Sequence, residues 1–284
     1  MNHASRIDPR TTDQEDVTLV SRTDEAASDS GHVSLCNVTK GYVLGSGRVE
    51  VLQSMDARLY RGEFVSIVGP SGCGKSTFLK IAAGLIEPDS GEVLLDGRPA
   101  AAGRRDVGIL LQNPSLLPWR TVSQNVLLPY VIFRSVNMQA KQRVAEALDM
   151  VGLQGFADAY PWQLSGGMQQ RAALARLFAY RPSIQLMDEP FGALDEITRE
   201  RLNIELARIH EATRETVLLV THGIQEAVLL SDRTLVMSPR PGRLVGEVEI
   251  DLPRPRHASM VDTPAFAEKC KHVRVLLEQG TAGA

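Results

Sequence analysis

The chain lacks any long apolar run. Val126 to Phe133 is among its most sustained stretches, far short of the roughly 20 residues a helix needs to cross a bilayer, so no membrane-spanning helix is expected. The N-terminal segment MNHASRIDPRTTDQED has no apolar core of the secretory type, which predicts a protein that stays in the cytosol. Cysteine is scarce: Cys36, Cys73 and Cys270 are widely spaced and form no CxxC pair, which fits a reduced compartment and excludes a disulfide framework. Charge of one sign is absent too, since 31 Lys and Arg face 34 Asp and Glu for a net −3. No bulk field therefore draws the chain to nucleic acid or anionic lipid. Internal repeats and long heptad arrays are missing, which excludes solenoids and extended coiled coils.

What is present is a core-forming chain of 284 residues with 43% hydrophobic content. Residues 1–31 are rich in Asp, Ser, Thr and Arg and cannot offset the entropy of ordering, so a disordered tail is expected there. From Val33 the texture changes. Glu63–Val68 reads as a buried strand, followed by a glycine-rich loop and a helix over Lys75–Leu85 with Phe78, Leu79, Ala82 and Leu85 on one face. Turns at Pro88–Gly91 and Asp96–Gly97 flank a strand at Glu92–Asp96 and predict a small antiparallel patch. Val107–Leu111 reads as another strand. About 113–180 then turns helical, with helices over Gln139–Val151 and Ser165–Tyr180, and looks like an insertion. Afterwards strands (184–188, 216–221, 234–237) alternate with helices (197–213, 224–230). That rhythm predicts an α/β fold with a mostly parallel sheet covered by helices. The expected organisation is a main domain over 32–253 and a linker plus one helix over 254–284.

Three motifs carry chemistry. Gly69-Pro70-Ser71-Gly72-Cys73-Gly74-Lys75-Ser76, with Thr77 behind it, fits the phosphate-loop pattern and sits between a predicted strand and helix, as its mechanism requires. Its glycines let backbone N–H groups converge on phosphate oxygens at a helix N-terminus. Lys75 is expected on the β and γ phosphates and Ser76 on Mg²⁺. Next, Asp188 and Glu189 end a buried strand, where open α/β sheets bind ligands; Asp188 suits the Mg²⁺ shell and Glu189 the base for attacking water. Last, Leu164-Ser165-Gly166-Gly167-Met168-Gln169-Gln170-Arg171 opens a helix whose capped end can hold an anion, although in isolation an ordinary capped helix reads equally well.

Together these motifs resemble the ABC transporter ATPases over roughly residues 33–250. LSGGMQQR matches the signature of that family, and its other motifs follow in order: Gln112 the Q-loop glutamine, Asp195 the D-loop aspartate, His222 the switch histidine, and Tyr42 where an aromatic stacks on adenine. The resemblance implies a P-loop NTPase (RecA-like) core with an antiparallel β subdomain and a helical insertion subdomain. It also implies ATP and Mg²⁺ as bound groups, with Gln112 near the metal as well as the attacking water. A head-to-tail homodimer is implied, in which Ser165, Gly166 and Gly167 act on the partner's nucleotide. Two residues depart from expectation. Gln185 interrupts the apolar run before the acidic pair, either to meet a polar partner or as tolerated variation. Cys73 lies in the phosphate loop with no catalytic role, and its alkylation is expected to block nucleotide binding sterically.

Leu116-Leu117-Pro118-Trp119 with Thr121–Val126, Ser238–Arg243 and Asp251–Arg256 is similar to the nitrate, sulfonate and taurine importers within that family. This narrower resemblance implies an integral-membrane permease and an extracytoplasmic solute-binding protein as partners, and a peripheral location on the cytoplasmic face of the inner membrane. Trp119 reads equally as a core residue or as an exposed docking residue. The rival class, a soluble ABC ATPase acting on nucleic acid or ribosomes, would call for a coiled coil, a second cassette or a basic face, and none is visible. A cassette that binds ATP without hydrolysing it is disfavoured by Glu189 and His222.

Overall fold

The computed structural model describes residues 31–45 and 47–282, and the tail expected over 1–31 falls almost wholly outside them. Ten strands and eight α-helices alternate along the described residues. The centre is a six-stranded sheet, in spatial order β10(Leu244–Glu249), β9(Arg233–Met237), β3(Phe64–Val68), β8(Thr216–Val220), β7(Ile184–Asp188) and β6(Val107–Leu110). All neighbours are parallel except the β10–β9 pair. Strands β3, β7 and β8 are buried along their whole length, as expected for a sheet covered on both faces. In β8, Val217 and Leu219 enter one core while Leu218 and Val220 enter the other, so the period-two alternation feeds two separate layers.

One layer contains α1(Lys75–Ala82) and a second, antiparallel sheet of order β2(Gly47–Leu59), β1(Val33–Leu44), β4(Ser90–Leu95) and β5(Arg98–Pro99). The opposite layer contains α2(Val122–Val126), α3(Leu128–Ile132), α4(Met138–Met150), α5(Gly166–Tyr180) and α6(Glu196–Thr213). A third cluster joins α7(Ile224–Leu230), β10 and α8(Pro264–Ala282) through Val228, Val248, Phe266 and Val273. The fold is that of an α/β P-loop NTPase.

Two sequence expectations need correction. Helix α1 stops at Ala82, not Leu85, because Gly84 takes a left-handed φ of 67°. Gly84 N–H donates to Ile81 O at 2.9 Å and Leu85 N–H to Lys80 O at 2.9 Å, a Schellman closure that satisfies the last carbonyls. Residues 254–263, expected as a linker, lie against the main body. Arg254 pairs with Asp232 at 2.7 Å, and the buried Arg256 donates to Ser231 O at 3.1 Å and Ile250 O at 3.2 Å. Gln185 does meet a polar partner, donating through Nε2 to the Glu215 carboxylate.

Candidate nucleotide-binding and hydrolysis site

The candidate groups gather at the carboxyl ends of four adjacent strands, β3, β8, β7 and β6. After β3 the chain turns through Gly69–Gly74 and enters α1. Gly72 and Gly74 have φ of 75° and 112°, open to glycine without strain. A Cβ on Gly74 would lie 2.7 Å from Leu52 Cδ2 and 3.0 Å from Val51 O, so the loop closes only with glycine there. Lys75 is buried and folds back over the loop, donating to Gly69 O at 2.8 Å and Pro70 O at 3.0 Å. Ser71 is exposed at the rim, while Thr77 is half-buried on α1.

Ser76 Oγ donates to Asp188 Oδ1 at 3.0 Å. Burial pushes the Asp188 carboxyl up from its ordinary pKa, the Ser76 hydrogen bond opposes that, and the neighbouring Glu189 charge adds to it. A buried carboxylate beside one hydroxyl is an oxygen-only donor set of the kind that takes a hard divalent cation together with substrate phosphates, so these residues fit Mg²⁺. Glu189 leaves β7 with φ of 47°, and this left-handed turn carries its carboxylate away from the strand line. Its Oε2 accepts from Gln112 Nε2 at 3.4 Å, and its Oε1 stands 3.6 Å from His222 Nδ1. His222 follows Thr221, whose N–H donates to Ile67 O at 3.1 Å and whose Oγ1 accepts from Gly223 N–H at 3.0 Å, fixing the turn behind the ring.

Lys75, Ser76, Asp188, Glu189, Gln112 and His222 thus form one constellation. The signature and D-loop residues form another. Ser165 Oγ caps α5 by accepting from Met168 N–H at 3.3 Å, and Asp195 caps α6 by accepting from Thr198 N–H at 2.9 Å, which holds the Asp195 carboxyl below its usual pKa. A Cβ on Gly167 would lie 3.2 Å from Ala193 O, so the two caps are neighbours. Among the described residues, neither Ser165, Gly166, Gly167 nor Asp195 hydrogen-bonds to the phosphate loop or to Glu189. Tyr42 sits on β1 with its ring partly exposed and the Lys40 ammonium 5.8 Å from its centroid.

Cys73, whose alkylation is expected to block nucleotide binding sterically, lies buried in the loop, and burial raises the pKa of its thiol. Three supporting contacts had no mark in the sequence. Gln170, buried on α5, donates to Pro190 O at 3.0 Å just past the acidic pair. Arg176 donates to Pro114 O at 3.0 Å and Ser115 O at 3.2 Å, holding the chain after Gln112. Asn125, fully buried, donates to Leu117 O, Arg120 O and Thr121 O at 3.0–3.1 Å and accepts from Leu117 N–H at 2.7 Å. That loop leaves Trp119 69% exposed, which decides against the core reading of this residue.

A family profile described as ABC transporter matches residues 52–192, spanning the phosphate loop through the acidic pair. An ABC transporter ATP-binding protein of Methanocaldococcus jannaschii is 44% identical over 237 residues, covering 84% of this chain and 89% of that relative. The chain belongs to the ABC transporter family. Other cassettes similar to this ABC ATPase include the nitrate import ATP-binding protein of Synechococcus elongatus, 42% identical over 83% of this chain and 36% of that longer relative. An aliphatic sulfonates import ATP-binding protein of Bacillus cereus is 40% identical over 87% of this chain and 96% of that relative. Among solved structures, a dimeric ABC transporter cassette superposes with a TM-score of 0.72 at 37% identity, covering 78% of this chain and all (100%) of that one. The same cassette in a post-hydrolysis state bound to ADP and Pi gives 0.71 at 36% identity, with the same coverage.

Proposed function

We propose that this chain is the ATP-hydrolysing subunit of an importer for a small anion of the nitrate, sulfonate or taurine type, working as a homodimer beneath a separate integral-membrane permease. The observation that carries the hydrolytic reading is the Glu189 carboxylate, turned out of β7 to stand between Gln112 and His222 beside the Ser76–Asp188 pair. Backbone N–H groups of residues 69–76 hold the phosphates, with Lys75 leaving its two loop carbonyls to reach the β and γ oxygens. Ser76 and Asp188 hold Mg²⁺, which when bound neutralises charge on the phosphates. Gln112 orients the attacking water, and Glu189 accepts its proton as the oxygen attacks the terminal phosphorus. His222 donates to a γ-phosphate oxygen. ADP and phosphate are the products.

Ser165, Gly166 and Gly167 end a 15-residue helix whose positive pole faces the partner's terminal phosphate, so loss of that phosphate releases the dimer. Tyr42 stacks on adenine, and Asp195 sits at the dimer seam. An extracytoplasmic binding protein delivers the substrate, and the chain remains peripheral on the cytoplasmic membrane face. No helix among the described residues is long and apolar enough to cross a membrane. Names of the relatives support import over a role with nucleic acid or ribosomes.

Docking falls to the segment after Gln112, where Trp119, Val131, Ile132, Val136 and Met138 are all exposed. Beside α3, a hollow of about 260 Å³ between β6 and α5 is lined by Ile109, Leu128, Ile132, Phe133, Leu177 and Tyr180. The test is co-purification with the permease from detergent-solubilised membranes. Trp119→Ala is expected to keep ATP binding and lose the permease; undiminished co-purification overturns this docking surface.

A further inference from the structure

The segment Ser238–Arg243 lies directly against the outer side of the phosphate loop. It is a closed turn. Ser238 N–H donates to Arg243 O at 2.9 Å, and Arg243 N–H donates to Ser238 Oγ at 3.0 Å. Two backbone bonds then tie it to β2, Gly242 N–H to Val51 O at 2.8 Å and Gln53 N–H to Gly242 O at 3.0 Å. Gly242 approaches so closely that a Cβ there would fall 2.2 Å from Cys73 O, and a Cβ on Gly69 would fall 3.0 Å from Met237 Cβ. The turn is backed from behind by α8, since a Cβ on Gly280 would lie 3.5 Å from Ser238 Cα.

From this anchored turn, Arg240 reaches over the loop and donates twice to one acceptor, Nη2 to Gly72 O at 2.9 Å and Nε to Gly72 O at 3.2 Å. Among the described residues Arg240 has no carboxylate partner. Its guanidinium is committed to a backbone carbonyl. The choice of carbonyl matters. A phosphate cradle works only while its N–H groups face the anion and its carbonyls face away. Gly72, without a Cβ and at φ of 75°, does little to hold its own peptide plane. The next N–H, that of Cys73, is held only by a long 3.4 Å bond to Pro70 O.

We propose that Arg240 is a positioning residue for nucleotide binding: by gripping the Gly72 carbonyl from outside, it locks the Gly72–Cys73 peptide with its carbonyl outward and pre-organises the phosphate cradle. This rests on residues 69–76 being the phosphate loop. Arg240 touches no reacting atom, so its effect falls on ground-state and transition-state binding alike, and KM rises while kcat holds.

The experiment is steady-state Mg-ATP hydrolysis by the full chain and three variants, at low and at raised salt. Arg240→Ala is expected to raise KM about fivefold with kcat within about twofold and an unchanged thermal midpoint, the size that corresponds to the net worth of one ordinary hydrogen bond. Arg240→Lys, which keeps the charge but loses the two-point grip, is expected to recover only part of that. Arg243→Ala removes the nearby cation that donates to Gln53 Oε1 at 2.7 Å and touches no loop atom, and it is expected to keep the parent KM. The rise in KM is expected to persist at raised salt, because a through-space attraction to phosphate would be screened. The inference is overturned if Arg240→Ala keeps the parent KM, if Arg243→Ala raises KM equally, if salt abolishes the difference, or if kcat and thermal midpoint fall together. A parent chain with no saturable Mg-ATP dependence would overturn the phosphate-loop reading itself, and this proposal with it.

Discussion

In the proposed mechanism, Glu189 concentrates most of the chemistry in one side chain. A non-glycine residue at φ of 47° costs on the order of 1 kcal/mol or more, and here the strain accompanies the aim of the carboxylate between Gln112 and His222. Glu189→Gln is expected to lower phosphate release by about 100-fold or more while Mg-ATP still binds, measured by a phosphate-release assay beside equilibrium titration. Undiminished release would take the base role from Glu189. His210 makes a different residue-scale case. It is buried on α6 against Phe64, Nε2 meets Gly62 O at 3.1 Å, and burial pushes its pKa down to about 4. Between pH 6.5 and 4 the unfolded chain binds a proton that the folded one refuses. This contribution to stability is therefore intact above 6.5 and erodes as pH falls towards 4, at up to about 1.4 kcal/mol per pH unit. His210→Gln lacks the term, so urea unfolding is expected to show the parent's advantage shrinking from pH 7.5 to 4.5, and a constant gap would contradict the assignment. The acidic pair was legible because it ends a short strand that is apolar but for Gln185. The contact of Glu189 with His222, 33 residues apart in sequence, was not, because no local pattern encodes a left-handed turn at a glutamate.

At the scale of elements, legibility followed periodicity. Strand β7 and helix α7 were read to the residue, from short apolar-rich segments. Strands β1 and β2 had no such signal. Their pairing shifts register between Leu35 and Val38, between Val38 and Lys40, and between Lys40 and Gly41, so alternation breaks and Cys36 and Asn37 are exposed in succession. Thr121–Gln124 closes a capping box on α2, a spacing present in the sequence that marks the helix start after the Trp119 loop. The arginine-rich stretch before α8 was expected as a linker, yet Arg254 and Arg256 donate to the backbone carbonyls of Leu230, Ser231 and Ile250, which tertiary structure alone decides. Helix α8 accordingly belongs to the third core. Phe266→Ala is expected to cost roughly 3–5 kcal/mol in urea unfolding with KM for ATP unchanged, since Phe266 is fully buried away from the phosphate loop. A loss below about 1 kcal/mol would mean α8 docks only loosely.

For the whole molecule, the decisive feature is separation. The phosphate loop and acidic pair form one contact network, while the Ser165 cap and the Asp195 cap form a second. A helix end with free N–H groups and no anion of its own chain is an incomplete site, and in the proposed homodimer a second copy turned head-to-tail completes both sites at once by symmetry. Likeness to a dimeric cassette agrees with that arrangement. Individual motifs were readable from their own residues, whereas their division into two half-sites was reached only through the resemblance, because it depends on the path of α5 across the fold. The most direct measurement is sedimentation velocity of full-length Glu189→Gln with and without Mg-ATP, repeated with Ser165→Arg added. Pairing that appears only with Mg-ATP and is abolished by the second substitution is the predicted result; an ATP-loaded protein that stays monomeric at every concentration would contradict the account.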